Sequence, residues 1–246
     1  MSTVYLQCEP KDIAKNVIMV GDPGRVKLAG EYMDSAEMIS QNREFTVLTG
    51  AFRGTKISLV SSGIGSPSLG IALEELAHLG AKSVLRAGTA MSITTELGSY
   101  VVSTGAIRGE GTSKEYLPVE FPAVPDLRLS HTILERLRQS GVEHNYGITA
   151  TFDSFYSDMA PVWIDKNRKL DDTYQVAKEN GVLAMDMESS FLFVLSTYLN
   201  LNSASLCLVT NMPEAPEDKL EGEERNEAES MLIRLSLETL SNYEGG

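Results

Sequence analysis

Arg25 follows the turn Gly21-Asp22-Pro23-Gly24, and Arg86 ends an apolar run just before Ala87-Gly88-Thr89. A guanidinium meets phosphate oxygens through two parallel N–H donors, a fit that lysine does not match. Gly21 adds a backbone amide and Thr89 a hydroxyl beside these charges. Between the two arginines runs Ser61-Ser62-Gly63-Ile64-Gly65-Ser66-Pro67-Ser68-Leu69-Gly70-Ile71, closed by Glu75-Leu76. Its small residues let backbone amides face an anion or a sugar at close range, and Pro67 sets a helix start behind them. Arg43, after Gln41-Asn42, is a third guanidinium. Each arginine alone reads as a surface charge or a carboxylate partner. Three of them together with glycine-rich turns point to a phosphate site.

A second group is Met185-Asp186-Met187-Glu188-Ser189. A carboxylate where a strand hands over to a helix can accept two sugar hydroxyls as a fork, and a methionine can pack on the furanose face. The same residues also suit plainer roles, Asp186 as a helix N-cap and Glu188 as a first-turn acid facing the helix dipole. Asn211 closes a further apolar run. Its amide offers a donor and an acceptor to a heterocycle, and it suits a turn before Pro213 equally well. Phe155 and Tyr156 either stack on a base or fill core. His78, His131 and His144 lie outside all these motifs. Ser/His/Asp and Cys/His catalysis therefore have no support, and no cluster has metal-ligand spacing.

Apolar patterning supplies the frame. Residues 16–20 read as a buried strand feeding the Gly21 loop, residues 25–33 as a helix, and residues 44–51 and 56–62 as a hairpin around Phe52-Arg53-Gly54-Thr55. A helix over 67–79 puts Leu69, Leu73, Leu76 and Leu79 at helical spacing and stops at Gly80. Strands at 83–87, 100–107, 146–151, 182–187 and 203–210 alternate with helices at 129–139, 189–199 and 223–240. Residues 109–125 read as loop, and residues 158–171 have no clear period. Such alternation marks a wound α/β sheet, whose ligands sit at the carboxyl ends of the strands, where Arg86 falls. The acidic stretch 214–229 is either a solvated helix start or a mobile lid. No repeat or linker interrupts the chain, so residues 1–246 read as one domain.

Composition narrows the partners. A chain of 246 residues, 42% hydrophobic, can bury a sizeable core. Its net charge of −13 argues against nucleic acid or an anionic membrane as partner, while local arginines still permit a small phosphate ligand. Cys8 and Cys207 are far apart, and Cys207 sits in the apolar run Ser205-Leu206-Cys207-Leu208-Val209. A disulfide framework is not expected, which fits a cytoplasmic location. No signal pattern and no apolar run near the ~20 residues needed to span a bilayer are present, so a soluble protein is expected.

Together these residues resemble the hexameric-type nucleoside phosphorylase family, which includes uridine phosphorylases and bacterial-type purine nucleoside phosphorylases. The resemblance runs from Tyr5 to the last helix. Ser61 to Leu76 matches the family signature at every fixed position. Gly21-Asp22-Pro23 with Arg25, Asn42-Arg43-Glu44-Phe45, Arg86-Ala87-Gly88-Thr89, Phe121-Pro122-Ala123-Val124 and Met187-Glu188-Ser189 match as well. It implies an α/β fold with a central mixed, partly barrel-like sheet flanked by helices. It further implies that Gly21, Arg25, Arg86 and Thr89 bind phosphate, with Arg43 reaching in from a neighbouring subunit. Met187 and Glu188 would hold the ribose and Phe155 would stack on the base, with Glu188 and Arg86 carrying the catalysis; the residues themselves add Asn211 to that set. The implied reaction is reversible phosphorolysis to free base and ribose 1-phosphate, with inorganic phosphate as co-substrate and no metal or organic cofactor. The implied assembly is a homo-oligomer of dimers that share active sites, three of them in a hexamer.

Departures from the family pattern bear on the base. Tyr5 stands where the family usually contributes a histidine across the subunit interface, and its hydroxyl is expected at the ribose. Uridine phosphorylases carry a Gln and an Arg shortly after the Phe-Tyr pair, but Ser157-Asp158-Met159-Ala160-Pro161 has neither. Purine enzymes place an Asp, the general acid for N7, where Asn211 stands. Asparagine cannot protonate a 6-aminopurine but can hydrogen-bond N7 and a 6-oxo group. Arg225 lies near the place of an arginine that swings toward that acid, and is expected at the base. The expected substrate is a 6-oxopurine nucleoside such as inosine or guanosine, with uridine as the alternative. A nucleosidase of this fold would use water and would not need three arginines. A non-enzymatic nucleoside-binding protein would be expected to have lost Glu188 or the arginines.

Overall fold

The computed structural model describes residues 2–170 and 172–244. Asn16–Val20 forms β1, whose side chains alternate between two cores: Val17 and Met19 join one, Ile18 and Val20 the other. A central strand covered on both faces needs this pattern. β1 runs parallel to β4 (Thr55–Ser61) on one side and to β5 (Ser83–Ser92) on the other. Beyond β4 the sheet continues antiparallel through β3 (Phe45–Phe52) to β2 (Ser35–Asn42).

On its other side the sheet curls. β5 pairs in parallel with β9 (Asn202–Asn211) and, at its far end, antiparallel with the short β8 (Ala184–Asp186). β8 pairs with β7 (His144–Thr151), β7 with β6 (Tyr100–Arg108), and β6 returns to β9. Five strands thus close into a ring within a nine-stranded mixed sheet. This is the partly barrel-like sheet flanked by helices that the sequence resemblance implied. Helices α1 (Pro23–Gly30), α3 (Leu127–Ser140) and α6 (Gly222–Asn242) pack into one core, and α2 (Ser66–Leu79) and α5 (Ser189–Leu199) into the other. A short helix, α4 (Asp172–Glu179), adds Tyr174 and Ala177 to a third cluster with Phe152, Met159 and Met185.

Several boundaries differ from the sequence reading for local reasons. β2 was not anticipated, because its sequence SAEMISQN is polar and largely exposed and lacks the alternation of a half-buried strand. α1 starts two residues earlier than expected, with Pro23 in its first turn and the Asp22 carboxylate accepting from the Gly24 amide at 2.8 Å. β5 runs on through Gly88-Thr89 to Ser92 instead of ending at 87. α4 is too short for its periodicity to register, and β8 is shorter than residues 182–187. Residues 212–221 do not float: Met212 and Leu220 amides donate to Asp218 and Thr210 carbonyls, and Asn211 bridges to Lys219. The acidic stretch is therefore a loop tied back to β9 over 212–221, followed by the first turns of α6. Among the described residues no helix is long and apolar enough to cross a membrane, and Cys8 and Cys207 are free and buried.

The contact between α2 and α5 offers a direct test of the packing. A Cβ on Gly70 would lie 2.9 Å from Cε1 of Phe191, a ring with no exposed surface. Gly70→Ala is expected to destabilise the fold by about 1–3 kcal/mol in denaturant unfolding, the usual scale of overpacking. Wild-type stability would show that the two helices have slack.

Candidate active site

The carboxyl ends of β1, β5, β8 and β9 converge on one cleft of about 490 Å³. The anion-binding candidates Gly21, Arg25, Arg86 and Thr89 line it, as do Met187 and Glu188 and the base candidates Phe155, Asn211 and Arg225. Two glycine-bearing loops meet there: the Ser62 and Gly63 amides donate to the Val20 and Gly21 carbonyls at 2.9 and 3.0 Å. Gly63 and Gly65 adopt positive φ angles of 71° and 92°, a region only glycine enters without strain.

Arg86 is the electrostatic centre. It is 3% exposed, and its Nε donates to Asp186 Oδ2 at 3.1 Å while Nη2 donates to Glu188 Oε2 at 2.5 Å. Burial works against its charge, but Glu188 and Asp186 outweigh it and hold the guanidinium pKa above its ordinary value. Gly88 makes room for the side chain, since a Cβ there would sit 2.7 Å from the guanidinium carbon. Asp186 also accepts from Thr151 Oγ1 at 2.8 Å and from the Ser189 amide and hydroxyl at 3.1 and 2.5 Å. The N-cap of α5 is Glu188 and not Asp186; from two positions further back, Asp186 accepts from the first residue of the helix and forms an ion pair that the sequence did not reveal.

Glu188 is 5% exposed, and burial pushes its carboxyl pKa up against the opposing pull of Arg86. Its Oε1 accepts from the Gly65 amide at 2.6 Å. The amide of the glycine-rich loop therefore faces an anion as expected, but that anion is the protein's own carboxylate. Ser66 Oγ, at the start of α2, donates to the Met187 carbonyl at 2.9 Å.

At the other arginines a single carboxylate serves two guanidinium groups. Glu229 of α6 accepts from Arg25 Nε at 3.3 Å and from Arg225 Nε at 3.0 Å. Nearby, Thr210 Oγ1 donates to Asn211 Oδ1 at 2.7 Å. Phe155 opens a π-helical turn, Phe155–Met159, that also brings the buried Met159 to the cleft. Tyr156 is half exposed and meets Phe155 edge-on, with ring centroids 5.0 Å apart.

Two predicted site residues lie outside the cleft. Arg43 is exposed in the turn between β2 and β3, at φ 56°. Tyr5 packs edge-on against Phe45 at 5.7 Å. The segment carrying Tyr5 is fixed by Glu75, whose carboxylate accepts from the amides of Val4, Tyr5 and Leu6 at 3.1, 2.9 and 2.7 Å. The glutamate that closes the glycine-rich run thus holds the N-terminal segment. Sequence reasoning also missed Gly65 as Glu188's donor and Glu229 as the partner of two arginines. The i,i+4 spacing of Arg225 and Glu229 was the one available signal for the latter.

Cleft, ring and loops set Arg25 and Arg86 in one cavity with the buried carboxylate of Glu188. A sequence profile of the Phosphorylase superfamily matches residues 15–241. The uridine phosphorylase of Treponema pallidum (strain Nichols) is 34% identical over 238 residues, covering 96% of this chain and 92% of that protein. The guanosine phosphorylase of Halorubrum lacusprofundi is 34% identical over 207 residues, covering 83% and 81%. A crystal structure of purine nucleoside phosphorylase from Toxoplasma gondii, in complex with immucillin-H, superposes with a TM-score of 0.89 at 26% identity, covering 98% of this chain and 96% of that one. The chain belongs to the phosphorylase superfamily.

Removing one charge from the Arg86 cluster tests the electrostatic centre. Asp186→Asn is expected to lower folding stability by about 3 kcal/mol, the scale for a buried ion that loses a partner. Thermal and denaturant unfolding measure it, and an unchanged midpoint would show that Glu188 alone suffices.

Proposed function

We propose that this chain, a nucleoside phosphorylase, catalyses reversible phosphorolysis of 6-oxopurine nucleosides such as inosine and guanosine. The observation that carries the reading is the single cleft in which Arg25, Arg86 and Thr89 stand beside Glu188 and Met187. Gly21, Arg25, Arg86 and Thr89 bind inorganic phosphate, the co-substrate. Met187 and Glu188 hold the ribose, and Phe155 stacks on the base. A phosphate oxygen bonds to the anomeric carbon as the glycosidic C–N bond breaks, and that electron pair leaves with the base. Positive charge develops on the sugar as the bond lengthens. Glu188, a carboxylate in a water-poor site, and the phosphate held by Arg86 oppose that charge where it forms. The scheme uses no metal or organic cofactor.

Asn211 supports the choice of base. Its Oδ1 accepts from Thr210 with one of two lone pairs, its Nδ2 offers donors to a ligand, and Arg225 in the same cleft adds further donors. A 6-oxopurine presents adjacent acceptors, N7 and O6, to such a pair. A 6-aminopurine presents an acceptor and a donor. Uracil places an N–H between its two carbonyls, a donor that the donors of Asn211 Nδ2 and Arg225 do not match. Uridine is nevertheless the second reading, because relatives such as the Treponema protein are named uridine phosphorylases.

Arg43 and Tyr5, both outside the cleft of their own chain, fit residues lent to a partner. Dimers that share active sites, assembled as a hexamer, complete the reading. Neither nucleic acid nor a membrane takes part. Free, buried Cys8 and Cys207 support a cytoplasmic location.

Base release from inosine, guanosine, adenosine and uridine, each with and without phosphate, tests the function. Phosphate-dependent cleavage of the two oxopurine nucleosides is expected, and cleavage of uridine alone would overturn the base assignment. Phosphate-independent cleavage would make the protein a nucleosidase. Arg86→Ala is expected to remove phosphorolysis at ordinary phosphate, and near-normal turnover would refute its role. Asn211→Asp is expected to shift preference toward adenosine, because a carboxylic acid can protonate N7. An unchanged preference would remove Asn211 from the base pocket.

A further inference from the structure

Glu229 is not among the residues that line the cleft, yet it touches two that do. It lies one turn along α6 from Arg225 and faces α1, where Arg25 sits. Its Oε2 takes Arg25 Nε at 3.3 Å and its Oε1 takes Arg225 Nε at 3.0 Å. The three side chains are 15%, 8% and 38% exposed respectively, so the pairing on the Arg25 side is largely shielded from water. Both contacts run through Nε. A guanidinium carries four of its five N–H donors on the two Nη atoms, and among the described residues neither Arg25 nor Arg225 has a hydrogen bond from Nη. Glu229 therefore grips each guanidinium from one edge and leaves the phosphate-fitting edge open, so it does not compete with an incoming anion.

We infer that Glu229 is a positioning residue that sets the phosphate-binding Arg25 and the base-facing Arg225 together, joining the two ends of the cleft through one carboxylate. The inference rests on the phosphorylase reading above. Two guanidinium groups on one carboxylate repel each other, and the shared negative charge offsets that repulsion. Without it, the more exposed Arg225 would turn to solvent and Arg25 would lose its aim. The anchoring of α6 does not need Glu229, because Leu232, Ile233, Leu235 and Leu237 are buried on their own account.

The test is steady-state kinetics on wild type, Glu229→Ala and Glu229→Gln, with thermal unfolding of each. In Glu229→Ala, KM for phosphate and KM for nucleoside are each expected to rise about tenfold, the effect of one lost charge-assisted contact. The same variant should lose less than about threefold in saturated kcat, since Arg86 and Glu188 remain in place. Glutamine keeps one acceptor and replaces the other with a donor, so Glu229→Gln should raise at least one of the two KM values. In the double variant Arg25→Ala/Glu229→Ala, phosphate KM should match Arg25→Ala alone within about twofold, because coupled residues do not add. Unchanged KM values in folded variants, or fully multiplicative effects in the double variant, would overturn the inference. A fall in kcat with both KM values unchanged would overturn it too. Should Glu229→Ala fail to fold, Glu229→Gln decides alone. If wild type itself shows no phosphate-dependent turnover, it is the phosphorylase reading that has failed. Titration of inorganic phosphate into wild type and Glu229→Ala then still decides the Arg25 half, by weaker binding or none.

Discussion

A guanidinium with only 3% of its surface exposed keeps its charge only if the protein replaces the water it has lost, and Arg86 does so with two carboxylates. Asp186 takes Nε and Glu188 takes Nη2, so the side chain is fixed from two directions. Breaking such a cluster leaves an uncompensated buried ion, which is why its partners are themselves held by hydrogen bonds. Thr151 and Ser189 anchor Asp186, and the Gly65 amide anchors Glu188. These contacts join β5, β7, β8, α5 and the loop before α2, so the closed ring of strands and the cleft depend on one another.

The charges of the cleft fall into two groups with opposite balance. Around Arg86, two carboxylates face one guanidinium. Around Glu229, two guanidinium groups face one carboxylate. The second group carries a surplus of positive charge, and the first sets the buried carboxylate of Glu188 beside it. The two meet in one cavity because Arg25 starts the helix that follows β1, and β1 pairs directly with β5. Setting three arginines in one cleft of a chain of net charge −13 is a matter of placement, since the field at short range outweighs the distant total.

Much of this arrangement was legible in the sequence because it lay in local patterns. The apolar run before Gly21, the glycine-rich run with Pro67, and the strand-to-helix junction at Met187-Glu188 each declare an element and its turn within a few residues. Those patterns also brought Arg25, Arg86, Thr89, Phe155, Asn211 and Arg225 to one cleft. What the sequence did not disclose was pairing across distance. Glu75 to Tyr5, Gly65 to Glu188 and Glu229 to Arg25 are separated by 70, 123 and 204 positions. The polar strand β2 was illegible for a different reason: an exposed edge strand takes its conformation from the ladder with β3, and not from its own apolar periodicity. Arg43 sits at the tip of that hairpin, so its distance from the cleft of its own chain could not be read locally either.

A phosphorylase requires inorganic phosphate itself to be the nucleophile. Phosphorus-31 NMR of the protein with inosine and inorganic phosphate tests it most directly. A sugar phosphate signal growing in step with free base, and inorganic phosphate falling by the same amount, is the predicted result. Base released with no new phosphorus signal would contradict it, because water would then be the attacking group and the arginines would serve another purpose.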